Sequence, residues 1–371
     1  MRATIAFPQP RPGILDITPY AGGESSVPGV TRVIKLASNE GALGASPKAR
    51  QAIVDAAAQA HRYPDGAWTD LREALGRRHG LDPARLVCGA GSDELISFLV
   101  RAYAGPGDSI VQSAHGFLMY SIYAKGAGVE THFAPETNLT ADVDALLAAV
   151  TDTTRLLFLA NPNNPTGTIL DADSVRRLRE GLREDIILVL DSAYAEFVER
   201  NDYDPGNALV DSHPNTVMMR TFSKIHGLGG LRVGWLYGPA PIVDVLNRVR
   251  GPFNVSSVGL VAATAAIEDV AFQTLAREHN SYWRAWTRER LEAMGLAVTD
   301  SSCNFLLTHF SAEGPLTVAA ADAYLRGRGL ICRRMGGYGL PHALRITIGQ
   351  ADEMHSLVQT LGDFVEGGGR A

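Results

Sequence analysis

The chain has 371 residues, of which 46% are hydrophobic and 20% charged, and its formal net charge is −6. This length suits two or three domains with buried cores, and the composition excludes a chain that is disordered throughout. The acidic balance, without a basic run, excludes a general nucleic-acid binder. Three scattered cysteines predict a reducing compartment, and no apolar run is long enough to predict a membrane span. We therefore expect a cytoplasmic protein with no nucleic-acid or membrane partner.

The elements that the sequence predicts begin with an irregular arm over residues 1 to about 30. This arm is rich in Pro and Gly and lacks the apolar core of a secretory signal. Residues 46–63 predict a helix capped by Ser46, with Pro47 in its first turn. From about 66 to 250, short apolar runs alternate with helical patterns, which predicts strands buried on both faces. These runs are 85–90, 108–114, 129–134, 155–162, 185–191, 215–221 and 231–238.

The alternation predicts an α/β fold whose large domain has a mostly parallel seven-stranded sheet flanked by helices. Residues 255–294 then read as helical. The runs 303–310 and 343–349 read as strands that flank a further helix. This different pattern of helices and strands predicts a smaller α+β domain.

Polar residues at the predicted strand ends are candidates for a ligand site, because ligands of open α/β sheets bind beyond the carboxyl ends of the strands. Gly89 and Gly91 follow the first strand and precede a helix opened by Ser92 and Asp93. Such a turn allows close backbone approach, and exposed helix amides suit a phosphate. A plain helix cap explains the same pattern. Glu94 stands where a dinucleotide fingerprint needs Gly, and the chain has no GxxxxGK[ST] loop.

Three further strand ends carry polar residues. The turn ANPNNPTGT (160–168) can hold an Asn side chain rigidly, although it is also ordinary turn chemistry. Asp191 ends a buried run, so it acts as a helix cap or meets a cation or donors. Lys224 follows another run, close to Thr221 and Ser223, with Arg232 eight residues later. A lysine can form a Schiff base, and the neighbouring hydroxyls and arginine suit a phosphate, although a surface lysine is the simpler alternative.

These parts together are those that pyridoxal phosphate needs: a lysine, a phosphate clamp and a carboxylate for the ring nitrogen. The chain resembles the fold-type I pyridoxal-phosphate aminotransferases of classes I and II, and among them it is most similar to the histidinol-phosphate aminotransferases. The resemblance runs from residue 14 to residue 349. It is carried by LASNEG (36–41), RYPDG (62–66), GAGSDELI (89–96), NPNNPTG (161–167), LDSAYAEF (190–197), TFSKIHGLGGLRVGW (221–235) and GGYGLPHALRITIG (336–349).

The resemblance implies the catalytic roles. Lys224 matches the lysine that holds the cofactor as an internal aldimine and then moves the proton. Asp191 matches the carboxylate that keeps the ring nitrogen protonated, and Asn164 and Tyr194 match the pair that bonds the ring oxygen. Phe117 matches the aromatic residue that stacks on the ring, although Ala114 and His115 replace the usual lead-in; we interpret His115 as a loop residue. The phosphate would be held by Ser92, Asp93, Thr221, Ser223 and Arg232.

The resemblance also implies a homodimer, because Tyr63 matches a tyrosine that reaches the phosphate from the partner subunit. Arg345 matches the arginine that pairs with the substrate carboxylate, and Tyr20, Asn39 and Arg333 match further substrate-binding positions. Arg334 is adjacent and could take the role of Arg333. The family pattern divides the chain into an arm with part of the small domain (1–45), a large cofactor-binding domain (46–252) and a small C-terminal domain (253–371), the small domain being built from both chain ends.

The implied reaction is ping-pong transamination of L-histidinol phosphate with 2-oxoglutarate, a step of histidine biosynthesis. The alternatives are an aromatic amino-acid aminotransferase or one with dual specificity, and a threonine-phosphate decarboxylase. A cofactor-binding regulator would need a DNA-binding domain, and none is predicted before residue 46. No metal site is predicted, because the ten histidines lack HExxH-like spacing. Gly41 and Ala42 depart from the Asn-Pro that is frequent in the family.

Overall fold

The computed structural model of the protein describes residues 10–20 and 22–369. The first nine residues of the predicted arm, residue 21 and residues 370–371 lie outside the described part. The α-helices are α1 (Pro47–Ala57), α2 (Thr69–His79), α3 (Ser92–Tyr103), α4 (Leu118–Ala127), α5 (Val143–Ala148), α6 (Ala172–Gly181), α7 (Asn207–Ser212), α8 (Ala240–Val249), α9 (Ser257–Glu268), α10 (Val270–Ala293), α11 (Val318–Gly327) and α12 (Ala351–Glu366).

The strands are short, and each of the seven apolar runs forms one. They are β1 (Ile34–Lys35), β2 (Leu86–Gly89), β3 (Ser109–Ser113), β4 (Glu130–Ala134), β5 (Glu136–Thr137), β6 (Thr140–Ala141), β7 (Thr154–Ala160), β8 (Ile187–Asp191), β9 (Thr216–Thr221), β10 (Gly234–Tyr237), β11 (Ala297–Thr299), β12 (Phe305–His309), β13 (Leu330–Ile331), β14 (Arg333–Arg334) and β15 (Ala343–Thr347).

The large sheet has seven strands in the order β2-β10-β9-β8-β7-β3-β4. Its pairs are parallel except those of β10, which runs antiparallel to both β2 and β9. The prediction of a mostly parallel seven-stranded sheet is therefore confirmed. Because six strands point the same way, their carboxyl ends meet along one edge, which is where the predicted site residues lie.

Local signals explain where the helices begin. Ser46 caps α1 by accepting a hydrogen bond from the amide of Ala49, as predicted, although the helix ends at Ala57 rather than near residue 63. The cap position of α3 is Gly91, with a φ of 80°, so Ser92 is the first helical residue rather than the cap. The apolar side of α3 is buried, which fixes its N-terminus at the end of β2.

A second sheet, in the order β11-β12-β15-β14, carries the smaller core together with α11 and α12. The arm joins this region, because β1 pairs in parallel with β13 and thereby connects the two ends of the chain. The helix α9 packs into the larger core, with Leu260, Ala263 and Ile267 buried there. We therefore propose that the boundary between the two domains lies near Asp269, where α9 ends, rather than at 252.

No single helix of the described part is long and apolar enough to cross a membrane. The pair α9 and α10 meets the criteria of length and composition only when both are taken together, across a bend of 77°.

Candidate active site

All but one of the predicted site residues line a single cavity at the carboxyl edge of the large sheet, next to β14 and β15 of the second sheet. They are Tyr20, Asn39, Ser92, Asp93, Phe117, Asn164, Asp191, Tyr194, Thr221, Ser223, Lys224, Arg232, Arg333 and Arg345. Tyr63 is the exception. Its side chain is 83% exposed and stacks on Phe253, with the ring centroids 4.8 Å apart.

The carboxylate of Asp191 is buried at the end of β8 and is held by two donors. Tyr120 donates to Oδ2 over 2.6 Å, and the amide of Ala193 donates to Oδ1 over 3.2 Å. Burial raises the pKa of Asp191 to about 6, whereas the Tyr120 hydrogen bond acts in the opposite direction. Tyr120 was missed by the sequence analysis. Its position one helical turn after Phe117 is the signal that could have identified it, since residues three apart share a helix face.

Lys224 lies in the loop after β9, and burial together with the charge of Arg345 lowers its pKa to about 8. Its Nζ donates to the carbonyl of Ser38 over 3.3 Å and lies 5.6 Å from the centre of the Tyr194 ring. Gly41, the departure from the family pattern, packs against the same loop. A Cβ at this position would stand 2.7 Å from the Lys224 carbonyl oxygen, so the residue must be glycine for this packing.

The residues predicted to hold a phosphate surround the N-terminus of α3. Arg232 has a left-handed backbone (φ 56°), and its Nη1 donates to the Ser223 hydroxyl over 3.3 Å. Its Nη2 donates to Asp93 Oδ2 over 3.4 Å. Gly91 makes room for the guanidinium, because a Cβ on Gly91 would lie 2.3 Å from Arg232 Nη2. Helix amides, hydroxyls and a guanidinium together form an anion site.

Arg345 crosses the cavity from β15, where it is buried. Its guanidinium donates to Asn164 Oδ1 and, over 3.0 Å, to the carbonyl of Ala37. Asn164 thereby keeps its amide hydrogens for another acceptor. Arg333 pairs with Arg345 across the β14–β15 ladder and lies near Tyr20, with its Cζ 5.9 Å from that ring. Its neighbour Arg334 is exposed and does not line the cavity.

Two polar residues singled out in the sequence have structural partners. His115 is bonded through Nδ1 to Glu136 Oε2 at 2.8 Å, and its carbonyl accepts from Asn163. It therefore anchors the loop that carries Phe117, which agrees with its interpretation as a loop residue. Glu94 accepts hydrogen bonds from the amide of Ala90 and from Asn254 Nδ2, both over 2.7 Å.

The side chains fit pyridoxal phosphate. The cavity offers an anion cradle, a buried carboxylate whose ionised form needs a cation, and a lysine of lowered pKa. Arg345 Nε is buried and has no hydrogen-bond partner in the described part of the chain, so donor capacity remains there for an anionic ligand. No group of three or more metal-ligating side chains occurs within residues 10–20 and 22–369.

Known proteins resemble the chain over almost its whole length. Residues 31–361 match the family model "Aminotransferase class I and II". A histidinol-phosphate aminotransferase from Rhodospirillum rubrum is 69% identical over 98% of this chain and 99% of its own length. One from Paramagnetospirillum magneticum is 57% identical over 96% of this chain and 99% of its own.

Solved structures give the same answer for the fold. Histidinol-phosphate aminotransferase from Sinorhizobium meliloti, crystallised with pyridoxal-5′-phosphate, superposes with a TM-score of 0.88 at 28% identity and covers 98% of this chain and 99% of its own. An aspartate aminotransferase from Thermus thermophilus has a TM-score of 0.78 at 22% identity, with 89% and 91% covered, and shares the fold. The chain therefore belongs to the class I and II aminotransferases, and it is an enzyme of that family.

Proposed function

We propose that this enzyme transfers the amino group of L-histidinol phosphate to 2-oxoglutarate with pyridoxal phosphate as its cofactor. The observation that carries the proposal is the pair of arginines, Arg333 and Arg345, on adjacent strands of one cavity wall. Both half-reactions need cationic groups there, because one substrate bears a phosphate and the other bears carboxylates. The similarity to histidinol-phosphate aminotransferases over nearly the full chain supports the same assignment.

When bound, pyridoxal phosphate supplies an electron sink for the substrate carbon that loses a proton. Lys224 Nζ is the group that would move this proton, and its lowered pKa increases the fraction of the neutral form that can accept it. Asp191 would hold the proton of the ring nitrogen, and Asn164 and Tyr194 would donate to the ring oxygen. Phe117 would pack on the ring, and Asn39 would lie on the substrate side.

The phosphate of the cofactor is held in this proposal by the α3 amides with Ser92, Thr221, Ser223 and Arg232. Asp93 takes part through its backbone amide and by holding Arg232, because its carboxylate would repel a phosphate. Burial raises the pKa of Asp93, which reduces this repulsion.

The substrate is tested by single-turnover absorbance of the cofactor-loaded enzyme with histidinol phosphate, phenylalanine, tyrosine and threonine phosphate. We expect the fastest conversion with histidinol phosphate. Arg333→Ala should slow histidinol phosphate far more than phenylalanine, whereas Arg334→Ala, its exposed neighbour, is the matched control. Faster conversion of phenylalanine or tyrosine would instead indicate an aromatic aminotransferase, and release of CO₂ from threonine phosphate would indicate the decarboxylase.

The role of Lys224 is tested by the Lys224→Ala variant, which should lack the visible band of the bound cofactor. Full turnover in this variant would refute the assignment. Wild-type protein that acquires no visible band with added cofactor would refute the use of pyridoxal phosphate itself.

A homodimer with shared sites is part of the proposal, because Tyr63 is exposed and lies outside the cavity of its own chain. Mixing Tyr63→Phe subunits with Lys224→Ala subunits tests this point. If Tyr63 serves the partner, each mixed dimer contains one intact site and activity returns. No recovery on mixing, although mixed dimers form, would place Tyr63 outside the partner's site.

We further propose a reducing compartment, such as the cytoplasm, because Cys88, Cys303 and Cys332 are free and buried.

A further inference from the structure

Asn39 occupies an unusual place between the two parts of the molecule. It is 1% exposed and has a left-handed backbone with a φ of 54°, which costs free energy for a residue other than glycine. The small domain fixes this conformation. The amide of Asn39 donates to Thr347 Oγ1 over 2.9 Å, and Asn304 Nδ2 donates to its carbonyl over 3.1 Å.

The hydrogen bonds around Asn39 run in one direction in the structure. The backbone amide can only donate, so Thr347 Oγ1 accepts from it and keeps its own proton for Asn39 Oδ1, 3.2 Å away. With Oδ1 accepting, the Nδ2 of Asn39 faces Tyr194 Oη, which it meets at 2.9 Å. Tyr194 Oη thus accepts from Asn39. No other group in the described part of the chain accepts the hydroxyl proton of Tyr194, so this proton is available to the cavity.

We propose that Thr347 and Asn39 are positioning residues that direct the hydroxyl proton of Tyr194 toward the ring oxygen of the cofactor. If the Asn39 amide were reversed, Oδ1 would accept this proton and Tyr194 would be lost as a donor to the ring. The inference rests on the proposed function, because it needs a cofactor whose ring oxygen Tyr194 meets. It adds Thr347, which is buried and does not line the cavity.

The arrangement also connects the substrate wall to the cofactor site. Thr347 is two residues beyond Arg345 on β15, so the strand that carries the proposed carboxylate-binding arginine also orients the side-chain amide of Asn39. The other titratable or charged groups that act on Tyr194 are Lys224, Tyr120, Arg345, Cys303 and Tyr338. Variants at Thr347 leave all five in place and add no charge, so a change in the site's titration can be assigned to the hydrogen bonds.

The test is a pH titration of the visible absorbance of the cofactor-loaded protein without substrate. A donor to the ring oxyanion lowers the midpoint of this titration, so Tyr194→Phe should raise it. Thr347→Val, which keeps the shape but removes the hydroxyl, should raise the midpoint in the same direction by about half a pH unit. Thr347→Ser is the matched control, because it keeps the hydroxyl and should titrate with the wild type.

Two further variants keep the test decisive. Asn39→Asp offers Tyr194 only acceptors, so it should raise the midpoint by more than its added charge alone does in the Tyr194→Phe background, and this difference replaces Thr347→Val if that variant does not fold. In the Tyr194→Phe background, Thr347→Val should add no further shift. Wild-type midpoints in Thr347→Val and Asn39→Asp, or equal shifts in Thr347→Val and Thr347→Ser, would overturn the inference. A wild type without a visible band would instead refute the proposed function.

Discussion

The hydrogen bond from Tyr120 to Asp191 makes a quantitative prediction. Tyr120→Phe removes a donor to a buried carboxylate, and such a bond to a charged group contributes about 1.5–3 kcal/mol, or about one to two pKa units. The pKa of Asp191 is already raised to about 6 by burial, and Tyr120 opposes that rise. The variant should therefore raise it to about 7–8 in the cofactor-free protein.

The assay is the affinity of the cofactor-free protein for pyridoxal phosphate as a function of pH. At pH 6 the wild-type carboxylate is about half ionised, whereas the variant should be roughly a tenth to a hundredth ionised. We therefore expect the variant to bind about 5- to 50-fold more weakly at pH 6, with the ratio shrinking at alkaline pH. The cofactor's own titrations are common to both proteins and cancel in the ratio.

The matched control is Tyr123→Phe, on the same helix, whose hydroxyl is not bonded to Asp191. Its ratio to the wild type should not vary with pH. A Tyr120→Phe ratio that is constant between pH 6 and alkaline pH would refute the reasoning, because it would show that Tyr120 does not control the ionisation of Asp191.

Three other variants follow from the site. A carboxyl with a raised pKa destabilises the folded state once it ionises, so the cofactor-free protein should lose stability as the pH rises from about 4 to 6. In chemical unfolding, Asp191→Asn should therefore gain up to about 3 kcal/mol of stability at pH 8 and nothing at pH 4. Equal gains at both pH values would contradict this. Gly41→Ala should lower the free energy of unfolding by about 1–3 kcal/mol and weaken cofactor binding, because its Cβ would lie 2.7 Å from the Lys224 carbonyl oxygen. Gly230→Ala is the control and should melt like the wild type, because no atom lies within 4 Å of a Cβ at that position. Arg345→Lys removes a planar guanidinium that can donate two hydrogen bonds at once, so the KM for 2-oxoglutarate should rise roughly tenfold or more. An unchanged KM would exclude a bidentate contact between Arg345 and the substrate carboxylate.

The elements of the large sheet were predictable because each strand is a short apolar run bounded by turn residues. The direction of β10 was not, since an apolar run reads the same for parallel and antiparallel pairing. The end of α1 was also misjudged, because the sequence between Ala57 and Tyr63 keeps helical propensity while the chain there turns instead.

The site was predictable where a motif fixes both residue and position, as at Asp191 and Lys224. Residues that act through another side chain were missed. Tyr120 lies in a helix that looks like ordinary core, and Thr347 lies in a buried strand. Their importance comes from a bond to a residue far away in sequence: Tyr120 is 71 positions from Asp191, and Thr347 is 308 positions from Asn39. Apart from the spacing of Tyr120 from Phe117, no local pattern indicates these contacts.

The pairing of β1 with β13 has a consequence for synthesis of the chain. Ile34 pairs with Leu330, so the arm that bears Ser38 and Asn39 cannot reach its place until nearly the whole chain has left the ribosome. The larger core draws its buried residues from 49 to 267 and can form earlier. Closing so long a loop adds only a modest entropic cost, because that cost grows with the logarithm of its length. A nascent chain therefore carries Asp191 and Lys224 on a folded scaffold before it has a finished active site, and the cofactor pocket matures last.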